Sequence, residues 1–190
     1  MSKLIPQRGD YRDLICYRKA EVIYDITYHF CHKYLQVGDR TIDQMIQAAR
    51  SGKQNIAEGS IASATSLESE IKLTNVAKAS LLELLIDYED YLRVRKLRQW
   101  EQNSIELNSM RKLGQQHNET EFFMDLVENR NDEVVANMAI VLIKQTDYLL
   151  HKLLEKQEQR FLAEGGFKEK MFAARIESRN KNKNKNKNNH

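Results

Sequence analysis

The chain has 190 residues, 41% of them hydrophobic and 30% charged, with one proline and seven glycines. That length suits one domain with extensions, and so few turn formers exclude an all-β fold, which needs a turn about every 8–12 residues. The formal charge of +3 arises at residues 180–190, which hold four lysines and no acid; without them 26 basic residues face 27 acidic ones, so any attraction to nucleic acid must come from a local patch rather than bulk charge.

No run of about 18 apolar residues is present, which excludes a membrane-spanning helix. Met1 to Arg8 lacks the apolar centre of a signal peptide. A cytoplasmic location is the expectation.

Residues 1–9 read as a loose leader. Asp10 or Asp13 can cap a first helix running to about Leu35, with an apolar stripe at Leu14, Tyr17, Ile23, Tyr24, Thr27, Phe30 and Tyr34, close to a period of 3.6. Cys16 and Cys31 lie on this helix 15 residues apart. At 1.5 Å per residue that is roughly 22 Å, beyond the Cα separation of about 7 Å that a disulfide tolerates. Both are expected as reduced thiols packed like small hydrophobes.

Gly38-Asp39 breaks the helix, and Asp39 or Thr41 caps a second one reaching about Ala57 or just beyond. Its stripe is Met45, Ile46, Ala49 and Ile56. Asn55 interrupts it, a poor helix former because its side chain competes for backbone hydrogen bonds. Gly59 to Thr65 reads as a connection. Ser66 starts a third helix extending to about Val94, whose broad apolar face (Leu73, Ala77, Leu81, Leu84, Tyr88 and Leu92 among others) suits a bundle interior, or a bundle that also packs on a neighbour.

Residues 95–130 are too long for a plain loop between bundle helices. They read as an inserted helical segment, with short helices suggested near Trp100-Glu101-Gln102, Met110 to Leu113 and Glu121 to Val127, and with interruptions at Gly114 and His117-Asn118. A fourth long helix is expected from about Asp132 to about Ala163, ended by Gly165-Gly166. A suffix over 164–178 can hold one more short helix. The Asn/Lys repeat over 179–190 is a low-complexity tail expected to be disordered.

The run Gln44 to Gly59 has the pattern Q-x-x-x-A-A-x-S-x-x-x-N-I-A-E-G. It resembles the signature of the four-helix-bundle proteins first noticed as open reading frames in bacterial 23S rRNA intervening sequences. Asp13-Leu14, Lys19-Ala20 and Thr27 resemble the usual opening of that family. Ala77 to Leu84 resembles its A-x-G-S-x-x-E-L, with Ala79 where glycine is common, a swap that keeps a small residue at an expected close helix contact. Together with the fourth helix, the resemblance covers roughly residues 10–94 and 131–163. The insertion departs from the shortest members, and Gly165 to Glu169 resembles the suffix of a longer subset. The resemblance implies an antiparallel four-helix bundle, an oligomer such as the homopentameric rings of some members, and no known catalysis for most. One relative, the accessory variability determinant of diversity-generating retroelements, is basic and works with a reverse transcriptase; the nearly neutral core here departs from it.

Catalytic and metal signatures are sparse. A di-iron site in a bundle needs Glu-x-x-His pairs, but the residues three before His29, His32, His117 and His151 are Ile26, His29, Gly114 and Tyr148. His29 and His32 share a helix face, and two ligands do not close a zinc site. No phosphate-loop, dinucleotide, zincin or nucleophile-elbow motif occurs. The expectation is therefore no catalytic residue, no metal and no cofactor.

Two polar constellations remain. Asn55 and Glu58 on the second helix, with Ser80 and Glu83 on the third, can meet across a hairpin, either as a binding site or as a network that sets helix register. Arg93, Arg95, Lys96 and Arg98 put four cations in six residues, and Arg111 and Lys112 can join them. They read as phosphate ligands, or as cations compensating the negative end of the third helix. Tyr88, Tyr91 and Trp100 flank them. Arg12, Arg18 and Lys19 form a second basic set. The leading expectation is a non-enzymatic oligomeric protein that binds RNA, DNA or a ribonucleoprotein through the 93–98 patch. The alternative is a protein-protein scaffold or accessory subunit that contacts its partner through the suffix and the Trp100 region.

Overall fold

Short polar side chains decide where several of the helices begin. The computed structural model describes residues 10–165 together with 169, 171, 172, 175–177 and 179. The leader 1–9, the tail from 180 onward and much of the suffix lie outside the described residues. Within them the fold is all-helical, with no strand. A 3₁₀ turn, Tyr11–Asp13, precedes α1 (Ile15–Tyr34), α2 (Arg40–Ala62), α3 (Leu67–Val94), α4 (Ile105–Gln116), α5 (Thr120–Glu128) and α6 (Asp132–Glu164). No described helix is long and apolar enough to cross a membrane.

Asp39 caps α2 through the Thr41 N–H, Ser66 caps α3 through that of Ser69, Ser104 caps α4 and Asn131 caps α6. Each side-chain oxygen satisfies one of the N–H groups that a helix start leaves without a partner. Asp10 caps only the 3₁₀ turn, and Leu14 at the N-cap of α1 supplies no side-chain cap. α2 runs five residues past Ala57 and absorbs most of the expected connection, because Gly59 lies buried against α3 rather than ending the helix. Trp100-Glu101-Gln102 belongs to the non-helical link between α3 and α4.

Gly114 does not interrupt α4 either. It is buried inside the helix, where a Cβ would overlap the Gln145 side chain and crowd Leu142 of α6. Glycine is there so that α4 can approach α6 closely.

The four long helices pack in cyclic order: α1 on α2, α2 on α3, α3 on α6 and α6 on α1. α4 lies against α6, and α5 against α1. One core results, with Ile23, Phe30, Met45, Leu81, Leu84, Tyr88 and Leu142 fully buried. Each contributes about 1.5–3 kcal/mol relative to exposure. Tyr88 hides its hydroxyl without penalty: it donates to Thr27 Oγ1 at 3.1 Å, and that hydroxyl donates to the Ile23 carbonyl at 2.7 Å. Cys16 and Cys31 are buried and free.

α6 departs from an amphipathic pattern at its start. Val135 to Ile143, nine consecutive residues, are all buried. A helix apolar on every side is one surrounded by protein; here the link and α4 cover the side that α1 and α3 leave open. At its other end a buried polar cluster fixes α6 to the start of α3. Arg160 pairs with Glu70, and Gln157 donates to Glu70 at 3.2 Å and to Thr74 Oγ1 at 3.1 Å.

Candidate functional site

The motif residues on α2 and α3 form a tight helix seam. Gly52 is buried, and a Cβ there would sit 2.7 Å from Leu81 Cδ2. Beside it, Ser51 and Ser80 join their hydroxyls at 2.9 Å. Asn55 donates to the Ser51 carbonyl at 2.9 Å and to its hydroxyl at 3.2 Å. Asn55 and Ser80 are thus linked through Ser51. Glu58 and Glu83 are exposed and join no hydrogen bond in this group among the described residues. Ala79 is exposed too, so it does not occupy a close helix contact within the chain; Ala77, Ser80 and Gly52 are the small residues that do.

Two of the four cations at the basic end of α3 pair with neighbouring acids. Arg93 bonds Asp90 at 2.7 Å. Arg98 pairs with Glu106, and its backbone N–H donates to Glu133 at 2.9 Å. Arg95 lies over the Tyr91 ring at 3.9 Å. Its positive field also helps hold Asp39 below the usual carboxylate range, after the larger effect of the Thr41 hydrogen bonds. Lys96 has φ = +56°, a left-handed backbone. It ends α3 in a Schellman turn, with Lys96 N–H to the Arg93 carbonyl at 3.2 Å and Leu97 N–H to the Leu92 carbonyl at 2.9 Å. Arg111 and Lys112 are exposed on α4. Tyr88 and Tyr91 are core residues rather than exposed stacking platforms.

A larger concavity lies around the corner, between the start of α1, the link, α4 and the middle of α6. Its volume is about 730 Å³, within the range of about 300–1,000 Å³ typical of small-ligand sites. Trp100, Tyr148 and Ile15 give it aromatic and aliphatic walls, and Lys19, Arg111 and Lys144 supply three cations. No described residue lining it is Asp, Glu, Ser, Cys or His.

Asn137, which the sequence reading passed over, builds one wall. It is 2% exposed. Its Oδ1 accepts the Trp100 N–H at 2.7 Å, and its Nδ2 donates to the Arg98 and Glu133 carbonyls, both at 2.8 Å. One side chain thus clamps the link onto α6 and sets Trp100 in place. On the opposite wall, Gln145 Nε2 donates to the Arg111 carbonyl at 2.8 Å, while Oε1 is buried with no hydrogen-bond partner.

The second basic set does not form a surface patch. Arg12 pairs with Asp10 at 3.0 Å, and Arg18 Nε donates to the Arg12 carbonyl at 2.8 Å. Lys19 is buried at 5% exposure, and its ammonium donates to the Gly114 carbonyl. Burial lowers its pKa, with Glu119 opposing the shift through space. His29 and His32 line a separate shallow groove with Asp25 and Met124, and burial lowers the His29 pKa. Cys31 points away from them, to Met45 Sδ at 4.0 Å. Among the described residues no three His, Cys, Asp or Glu side chains gather as metal ligands. Comparison with protein-family models, curated proteins and solved structures returns no match.

Proposed function

We propose that this chain is a non-enzymatic, oligomeric binding protein built on an antiparallel four-helix bundle, as its motifs imply, with α1, α2, α3 and α6 as the four helices. The cyclic packing of those helices supports the bundle. The groove beside Trp100 carries the binding reading. Aromatic, amide and cationic groups converge there, and its lining offers none of the usual nucleophile-base pairs. Self-association is supported by Ala79, Leu82 and Ile86, exposed on successive turns of α3. This narrow apolar stripe suits a helix of a second copy.

Nucleic-acid binding at the end of α3 is the second reading. It draws on Arg95, Lys96, Arg111 and Lys112, all exposed, whereas the acid partners of Arg93 and Arg98 compete with phosphate for two of the expected ligands.

Light scattering on the full chain, alone and with mixed RNA and DNA at low and high salt, separates the readings. The groove reading expects an oligomer that Leu82→Glu breaks and nucleic acid leaves unchanged. A salt-sensitive complex that is lost in the Arg95→Glu/Lys96→Glu variant overturns it in favour of nucleic acid. A chain that is monomeric at micromolar concentration removes the oligomer.

A further inference from the structure

The groove has an uneven charge inventory. Lys19, Arg111 and Lys144 face the same space with no carboxylate among the described residues that line it. Lys144 spends part of its charge on Glu89 at the rim, at 2.9 Å. Lys19 is the informative one. Native proteins rarely bury an ammonium without an anionic partner, because desolvation is costly unless a counter-charge offsets it. Among the described residues the ammonium of Lys19 donates to an uncharged carbonyl, that of Gly114, and Glu119 acts on it only through space, outside ion-pair contact. An ammonium has three donors, so Lys19 retains capacity for an anion at the wall of the groove. Apolar surface from Trp100 and Tyr148 lies in the same concavity.

We propose that the groove binds a small organic anion, its anionic head against Lys19 and Arg111 and its flat apolar body against Trp100 and Tyr148. The inference rests on the reading of the groove as the binding site. The ligand supplies the direct anionic partner that no described residue gives Lys19. Arg111, on the exposed wall, adds a planar donor fork suited to a carboxylate.

Trp100 is the only tryptophan in the chain, so energy transfer from it reports a probe bound in its neighbourhood, and the substitutions on the lining assign that probe to the groove. The probes are 1-anilinonaphthalene-8-sulfonate and the uncharged N-phenyl-1-naphthylamine, which shares its rings. The full chain is expected to bind the anionic probe with Trp100 transfer. Lys19→Met weakens that binding about tenfold or more, as loss of a charge-assisted contact does. Arg111→Gln, a surface change that leaves the core intact, weakens it several-fold. The uncharged probe binds more weakly and ignores both substitutions. If both probes bind alike and neither substitution matters, the anion inference falls while the groove remains a binding site. If neither probe draws transfer from Trp100, the groove reading falls with it.

Discussion

Lys96 gives the sharpest test of the end of α3, because conformation and charge make opposite claims on it. A non-glycine residue in the left-handed region costs about 1–2 kcal/mol, and Lys96 sits there at φ = +56°. Glycine removes that strain but adds about 0.5–1 kcal/mol of backbone entropy to the unfolded chain. Any replacement also forfeits a cation at a helix C-terminus, a loss of about 0.3–1 kcal/mol. Lys96→Gly and Lys96→Ala share the charge loss, so their difference isolates the backbone. Lys96→Gly is expected to be the more stable of the two by about 0.5–1 kcal/mol. For a chain of this size that is roughly 2 °C in Tm. Urea melts followed by far-ultraviolet circular dichroism, with equal m-values required, measure it. If Lys96→Ala equals or exceeds Lys96→Gly, the left-handed Schellman assignment is wrong.

Three further expectations use other parts of the fold. Asn137→Ala leaves the Trp100 N–H without its acceptor and the Arg98 carbonyl without this donor, while the Glu133 carbonyl keeps its N–H partner within α6; it should cost about 2–4 kcal/mol and shift Trp100 emission to the red, and an unchanged spectrum would rule out the clamp. Gly52→Ala pushes a methyl into Leu81 at a buried seam, so a loss of about 1–3 kcal/mol is expected, read from the denaturation midpoint. Burial pushes the thiol of Cys16 up to about 11 and that of Cys31 up to about 12. At pH 8 Cys16 should therefore alkylate roughly a hundredfold, and Cys31 roughly a thousandfold, more slowly in the folded chain than in urea. Because these folded values lie above the ordinary thiol value, their contribution to stability is present below about pH 9 and is lost as pH rises through about 11 for Cys16 and about 12 for Cys31. Fast native alkylation at pH 8 would contradict the packed-thiol description.

Much of the helical layout was legible because its signals are local. Asp39, Ser66 and Gly165 act on backbone groups within a few residues, and the stripe of α1 follows from its own spacing. What escaped depends on distant partners. Asn137 looks like a polar blemish in an apolar run, and its function lies in the Trp100 N–H and the Arg98 carbonyl, far away in sequence. Gly114 carries the same one-letter signal as a helix stop; only the position of Gln145 shows that it permits a close approach. Lys96 ends α3 without the glycine that usually marks such an end. Lys19 reads as one more surface cation until α4 is laid over it. The cationic run 93–98 was visible as composition, but its ion pairs reach acids on α3 and α4, and its backbone reaches an acid at the start of α6.

The enclosed stretch at the start of α6 also bears on how the chain breathes. Amides from Val135 to Ile143 have protein on every side, whereas Leu162, near the far end of the same rod, is largely bare. Solvent therefore meets one continuous helix under two regimes. Deuterium should enter the last turns through local fraying, while the first third exchanges only when α4 and its link lift away or the whole chain opens. Exchange at the start of α6 thus times the detachment of the lid-like segment that forms the groove. A ligand held there would slow those same amides and leave the distal turns untouched.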